Sequence, residues 1–396
     1  MKDKKVELPV GWEINKLGEL CKFDKIQNSH RDLPYVGLEH IESNTGVFLG
    51  NFEILKVKSS TFFFNNEHLL YGRLRPYLNK VLLPDFEGHC STEIFPIKVN
   101  KQITRKFLFY WLISEKTVEI INATSTGARM PRANMNRFLE FKFAFPSLSE
   151  QKRIVSILDE IFLAIEKSRK NAEINLKNSQ VLFESYLRGR FENKGEGWGK
   201  MPLISFCEEI TDGSHFSPKS TLNDDYPYIT VRDIKNDIID FENCKFINEQ
   251  DYNLLLKNGC KPNKGDILFS KDGTVGKVSL VDFEKTFVVL SSLAIIRPKK
   301  DIINSVFLMY ILKNPSFIYK AVGMKTGAAI RRIILKNLKK IEISFPISLQ
   351  EQESIVKQLD FLHLETKKLE LLYQQKLNNL EELKKSILQK AFSGEL

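Results

Sequence analysis

The chain has 396 residues, 42% hydrophobic and 27% charged, with a formal net charge of +10. These proportions fit a folded protein of about two to four domains and exclude wholesale disorder and a disulfide mini-protein. No apolar run approaches the roughly 20 residues that cross a bilayer. Met1-Lys-Asp-Lys-Lys5 lacks the apolar segment of a secretory signal. Five cysteines without CxxC spacing point to reduced thiols and a cytoplasmic location.

In chain order, the apolar runs Thr61–Phe64 and Ile94–Val99 lie between turn signals and read as strands, and Arg105–Asn122 reads as a helix. After Phe145-Pro146, Ser149 is placed to cap a long helix. Its apolar stripe is Ile154, Leu158, Ile161, Ile165, Ala172, Leu182 and Tyr186, with no Gly or Pro before Gly189. Ser168, Asn175 and Ser179 are weak points in the stripe, either ordinary defects or room for another protein chain. Strands resume at Phe287–Leu290 and Leu293–Ile296, followed by a helix over Ser305–Val322 that Asn314-Pro315 interrupts. A second long helix carries Ile355, Leu359, Leu362, Leu369, Tyr373, Leu380 and Ile387 and stops at Gly394. Each run is about 40 residues, roughly 60 Å if helical. Packing of the two on each other, parallel or antiparallel, gives both stripes a partner. Gln151 to Gly189 is 38 steps and Gln352 to Gly394 is 42, a difference of about one turn that keeps the pair in phase.

The order of elements repeats. Phe107-Leu-Phe-Tyr110 matches Phe307-Leu-Met-Tyr310 and Thr126-Gly-Ala128 matches Thr326-Gly-Ala328, both at an offset of 200. Phe145-Pro-Ser-Leu-Ser-Glu-Gln151 matches Phe345-Pro-Ile-Ser-Leu-Gln-Glu-Gln352, reaching an offset of 201 at Gln151, and Gly11-Trp12 matches Gly197-Trp198 at 186. A period this long is a whole domain-plus-helix unit used twice. The expected fold is α+β, with two duplicated globular domains at residues 1–148 and 193–348. Two long α-helices, at 149–192 and 349–396, separate them. The domains carry 21 basic against 16 acidic and 23 against 18 groups; the helices carry 8 against 7 and 7 against 8. Two equally basic heads on neutral spacers suit a polyanion such as nucleic acid.

Catalytic motifs are absent. In Ser270-Lys-Asp-Gly273-Thr-Val-Gly276-Lys277 two residues separate the glycines where a phosphate loop needs four, and no Ser or Thr follows the Lys, so the segment reads as a tight turn. Asn314-Pro315-Ser316-Phe317 resembles an amino-methyltransferase tetrad but lacks its second Pro. No GxGxxG, HExxH or GxSxG occurs, and the six histidines have no metal-ligand spacing. The chain reads as a recognition protein.

Several segments together resemble the specificity subunits of type I restriction–modification systems. Leu148-Ser-Glu-Gln-Lys-Arg-Ile-Val-Ser-Ile-Leu-Asp159 and Pro346–Leu359 look like the starts of that family's two conserved helices. Ser386-Ile-Leu-Gln-Lys-Ala-Phe-Ser-Gly-Glu-Leu396 is similar to its C-terminal ending, and Gly195-Glu-Gly-Trp198 to the junction into its second domain. Tyr35-Val-Gly-Leu-Glu-His-Ile-Glu42 and Leu70-Tyr-Gly-Arg-Leu-Arg-Pro-Tyr77 look like segments of one class of target recognition domain. The resemblance implies two target recognition domains, each reading half of a bipartite double-stranded DNA target. The helices would act as a ruler and as the dock for two methyltransferase subunits, joined by two restriction (translocase/nuclease) subunits. Pseudo-twofold symmetry along DNA favours an antiparallel coiled coil. No cofactor is expected in this chain; S-adenosylmethionine, ATP and Mg belong to the partners, and no membrane is involved.

Candidate DNA contacts follow from residue chemistry. Arg73 and Arg75 are candidates for bidentate bonds to guanine, with pairing of an Arg to a carboxylate such as Glu93 as the alternative. Lys80 and Lys277 align in the two copies and suit phosphates. Arg129, Arg132, Lys325, Arg331 and Arg332 occupy equivalent loops, and Asp212-Gly-Ser-His215 and Lys271 lie in polar turns. The candidate docking residues on the helices are Ile154, Leu158, Ile161, Ile355, Leu359 and Leu362. The competing readings are a diverged DNA methyltransferase or nuclease, and an RNA-binding or scaffold protein.

Overall fold

The computed structural model describes residues 9–27, 32–54, 57–193, 195–221, 226–323, 325–326 and 332–396, apart from the side chains of 325, 326 and 332. The chain forms two compact units, Met1–Glu173 with Gln374–Leu396, and Ile174–Tyr373.

In the first unit a four-stranded antiparallel sheet runs in the order Cys21–Phe23, Ile94–Val99, His68–Gly72, Val81–Leu82. Beside it, Gly88–Ser91 pairs parallel with Tyr35–Val36 and antiparallel with Thr61–Phe64. Glu13–Lys16 pairs with Lys142–Phe145, which brings the start of the domain to the strand that feeds the long helix. The second unit repeats this plan. Its four-stranded sheet is Cys207–Asp212, Leu293–Pro298, Ile267–Ser270, Val278–Leu280, and Trp198–Pro202 pairs with Glu342–Pro346. The copies differ at the small sheet. The parallel pair Tyr226–Ile229 and Val288–Val289 takes its third strand, Lys245–Ile247, on the opposite edge, and the helix Glu249–Lys257 follows.

The helix expected over Arg105–Asn122 is two, Arg105–Leu112 and Glu115–Asn122, because Ser114 takes an extended conformation between them. Its counterpart divides at Asn314, also extended, into Ser305–Lys313 and Pro315–Gly323. A residue before proline is pushed out of the helical region, so the interruption was legible there.

Both long helices have 45 residues, Leu148–Glu192 and Leu349–Ser393. The expected four-residue difference does not exist, since the first helix runs through Gly189. A helical glycine costs only about 1 kcal/mol, and Leu187 and Phe191 on either side are anchored in the second unit's core. The cap is Ser147 rather than Ser149. Its Oγ accepts from the Glu150 N–H at 3.4 Å, and Ser348 does the same for Glu351 at 3.4 Å.

The helices run antiparallel within each unit. In the first, Arg153 donates to the Leu396 carbonyl and Lys384 lies 5.5 Å from the Phe162 ring. In the second, Phe183 packs 4.8 Å from His363 and Tyr186 donates to Gln358. The buried residues of the first helix include Ile154, Leu158, Ile165, Ala172, Ser179 and Leu187. Leu182 and Tyr186 are exposed, so the expected stripe drifts off the core in its last third. Ser179 is a buried member whose hydroxyl donates to Leu176 O, while Asn175 is exposed.

A paired glutamine fixes each helix to its own domain. Gln151, fully buried, accepts from the Thr104 N–H at 2.8 Å and donates to Gln102 O and Pro146 O, each at 2.9 Å. Gln352 makes the same three bonds to Asn304 N–H, Ile302 O and Pro346 O. Tyr110 and Tyr310 add matching 2.5 Å bonds to Asp159 and Asp360. Burial, with the neighbouring carboxylate second, pushes both phenols far above their ordinary range. Gln151→Leu strands these groups at about 1–3 kcal/mol each. The expected loss is about 2–4 kcal/mol in urea unfolding followed by first-unit amide exchange; a loss under about 1 kcal/mol would contradict the clamp.

Candidate nucleic-acid interface

In the first unit the buried strand His68–Gly72 delivers the chain into a loop ending at Lys80. Gly72 N–H to Lys80 O, 2.9 Å, closes that loop. Arg73 is pinned on both sides of its backbone: its N–H donates to Glu93 O and its carbonyl accepts from Ala133 N–H, each at 2.9 Å. Arg75 sits in the left-handed region at φ 49° while its N–H donates to Pro131 O at 2.7 Å. The loop therefore lies against the segment around Arg132.

Glu93 holds two guanidinium groups. Arg73 Nε is 2.9 Å from Oε2 and Arg132 Nη2 is 2.9 Å from Oε1. Arg73 also lies 5.3 Å from the Phe95 ring. The carboxylate pairing raised as the alternative for Arg73 is present, and it includes Arg132. Arg75 and Arg129 are exposed and have no ion-pair partner among the described residues. They are the first unit's freest cations in these loops.

The second unit builds the same place from different chemistry. Lys271 N–H donates to Ser292 O and its carbonyl accepts from Ile333 N–H, each at 3.0 Å. These bonds make Lys271 the counterpart of Arg73, and Ser292 the counterpart of Glu93. Likewise Thr126 pairs with Arg132, and Thr326 with Arg332. The Lys271 side chain is only 3% exposed, with its ammonium 3.2 Å from Asp212 and 3.7 Å from Asp272. One oxygen of each aspartate is buried without a hydrogen bond. His215 is exposed and lies 3.3 Å from the other Asp212 oxygen. Gly213 is required beside it, since a Cβ there would meet Leu290 O at 2.3 Å. Arg331 and the side chains of Lys325 and Arg332 lie outside the described residues.

Ser270–Val278 is a turn between the strands Ile267–Ser270 and Val278–Leu280, closed by Ser270 Oγ to Thr274 O at 2.7 Å. Lys80 and Lys277 do align, but their ammonium groups turn inward. Lys80 donates to Leu38 O at 2.7 Å and Ile41 O at 2.9 Å; Lys277 donates to Ile234 O at 2.6 Å and Val231 O at 3.1 Å. Each ties off a one-turn 3₁₀ helix, Leu38–His40 or Val231–Asp233.

The helix residues expected to dock a partner need correction. Ile154, Leu158, Ile355 and Leu359 are at most 1% exposed and belong to the core of their own unit. Ile161 and Leu362 are half-buried. The exposed apolar side chains of the helices are others, among them Leu163, Ile174 and Val181 on the first and Phe361, Leu364 and Leu371 on the second. Among the described residues no group of three or more His, Cys, Asp or Glu could hold a metal ion, and no helix is long and apolar enough to cross a membrane.

Residues 9–176 and 195–382 each match the type I restriction modification DNA specificity domain. The type I restriction enzyme EcoDI specificity subunit of Escherichia coli is 29% identical over 218 residues, 51% of this chain and 49% of that protein. The match thus spans about half the length of that relative. The EcoBI specificity subunit of the same species is 24% identical over 332 residues, covering 78% of this chain and 68% of that one. The same fold occurs in a chain solved for the complex assembly and conformational transition of the type I R-M system. Its TM-score is 0.82 at 24% identity, with 98% of this chain and 100% of that one covered. The HsdS subunit from Thermoanaerobacter tengcongensis shares it at TM-score 0.64 and 21% identity, with 100% of both chains covered. With the specificity domain matched twice along most of its length, the chain belongs to the type I restriction–modification DNA specificity family.

Proposed function

We propose that this chain is the DNA sequence-recognition subunit of a type I restriction–modification complex. Each globular domain reads one half of a bipartite, asymmetric target. The observation that carries this reading is the pair of equivalent loop sites, one holding Arg73, Glu93 and Arg132, the other Lys271, Asp212 and Asp272. A scaffold that keeps its backbone and changes its polar side chains is what two different half-sites demand. Both matched segments are DNA specificity domains, so a diverged methyltransferase or nuclease gains no support. Adenine methylation with S-adenosylmethionine, and ATP- and Mg-dependent translocation and cleavage, fall to two methyltransferase and two restriction subunits in the cytoplasm. The long helices set the half-site spacing and dock the methyltransferase subunits through their exposed apolar side chains.

In the first domain Arg75 is the best-placed base reader, with Arg129 beside the backbone phosphates. Arg75→Ala should weaken specific binding by about 1–3 kcal/mol and relax one base position. Competition binding with a library of mutated targets measures both. An equal loss on specific and random DNA would remove Arg75 from base reading.

A further inference from the structure

The one-turn helices Leu38–His40 and Val231–Asp233 correspond residue for residue. Each follows the parallel strand pair of its unit, in which Val36 pairs with Cys90 and Ile229 with Val289. Lys80 bonds the carbonyls of Leu38 and Ile41, and Lys277 bonds those of Val231 and Ile234. The first residue of each turn packs inward, Leu38 and Val231 lying against the cores of their own units. The third accepts from the N–H that precedes the turn: His40 Nδ1 from Gly37 at 3.1 Å, and Asp233 Oδ2 from Thr230 at 2.7 Å.

The middle residue has neither task. The Glu39 side chain is 69% exposed, and its one ion-pair neighbour among the described residues is His40 Nε2 at 3.8 Å. Arg232 is exposed and has no ion-pair partner among the described residues. The same rigid frame therefore presents an anion in one head and a cation in the other. Both turns lie against the loop sites described above. A Cβ at Gly72, next to Arg73, would meet Leu38 Cδ2 at 2.6 Å. In the second unit Val231 N–H donates to Ser292 Oγ at 3.3 Å, and Ser292 O accepts from Lys271 N–H at 3.0 Å.

Beside a polyanion an exposed carboxylate repels phosphates. It is useful there only against a donor, and in the major groove a glutamate accepts from cytosine N4. Guanine presents two acceptors, O6 and N7, which match the fork of a guanidinium. We propose that the middle residue of each turn reads a base. Glu39 accepts from a cytosine N4 amino group in one half-site, and Arg232 donates to guanine O6 and N7 in the other. This assignment rests on the reading that the two heads bind the two halves of one DNA target.

The test uses the full chain, co-expressed with the methyltransferase subunit proposed as its partner in a methylation-free host, with modified sites mapped by single-molecule sequencing. The parent should require a C·G pair in each half, and sites that depart from it there should be modified about tenfold less. Glu39→Ala should accept any base at that pair in one half, and Arg232→Ala should do so in the other. Both side chains are exposed, so the variants should fold as the parent does. A glutamine matches adenine N6 and N7, so Glu39→Gln should move its position from C to A, and Arg232→Gln from G to A. Misfolding cannot create such a new preference. A half without a fixed C·G pair, or a Gln variant that keeps the parent's base, would overturn the assignment for that head and leave DNA reading intact. A parent complex that modifies no bipartite motif would remove that reading, and this assignment with it.

Discussion

Lys271→Met should destabilise the second unit by about 3 kcal/mol and remove its contribution to DNA binding. The ammonium is nearly inaccessible and sits between Asp212 and Asp272, whose side chains are 21% and 20% exposed. Removing one partner of a buried charge pair costs about 3–5 kcal/mol, because the remaining charge has lost its compensation. The partial exposure of the aspartates sets the expectation at the lower end. Apart from Lys271, Asp212 faces only the exposed His215 at 3.3 Å, and Asp272 has no other ion-pair partner among the described residues. Lys271→Met with Asp212→Asn removes the nearer of the two stranded charges and should recover at least half of the loss. Urea unfolding of the four chains of that cycle isolates the coupling. An additive double variant would show that Lys271 and Asp212 do not act as a pair.

Glu93→Gln acts in the opposite direction, on affinity rather than stability. Glu93 neutralises one of the two guanidinium charges it holds, those of Arg73 and Arg132. The three side chains are 22–41% exposed, so the pairing contributes only about 1 kcal/mol to folding. Releasing two cations at the surface proposed to face DNA should add up to two phosphate contacts. Each steepens the dependence of log K on log salt by about 0.9. Random-sequence DNA should then bind about tenfold more tightly at low salt, and the ratio of specific to random affinity should fall. Fluorescence anisotropy between 50 and 200 mM salt, concentrations over which about a thousandfold or more is lost by proteins with many phosphate contacts, reads both. An unchanged salt slope with lower thermal stability would make the trio structural only.

The duplication was legible because its anchors are large or chemically committed. Phe107 and Phe307 are fully buried, and Gln151 and Gln352 make identical bonds. The strands Thr61–Phe64 and Ile94–Val99 fall where their apolar pattern puts them. The end of the first helix was not legible, because the glycine signal at Gly189 is weaker than the packing of Leu187 and Phe191 around it. An amphipathic stripe says which face is buried but not against what. The stripe alone therefore offers Ile154 and Leu158 to a partner, whereas they pack into the head of their own unit. In the site, Arg73 with Glu93 could be anticipated from charge. The inward turn of Lys80 and Lys277 could not, since their acceptors are backbone carbonyls 39 to 46 residues away that carry no side-chain signature.

The central claim is that each head independently reads half of one DNA target. The direct measurement is a methylome: the chain is co-expressed with the methyltransferase subunit proposed as its partner in a methylation-free host, and modified adenines are mapped by single-molecule sequencing. A bipartite asymmetric motif with a fixed gap is expected, and exchange of residues 1–148 for those of a related subunit should change one half of it only. An assembled complex that leaves DNA unmethylated, or an exchange that alters both halves, would contradict it.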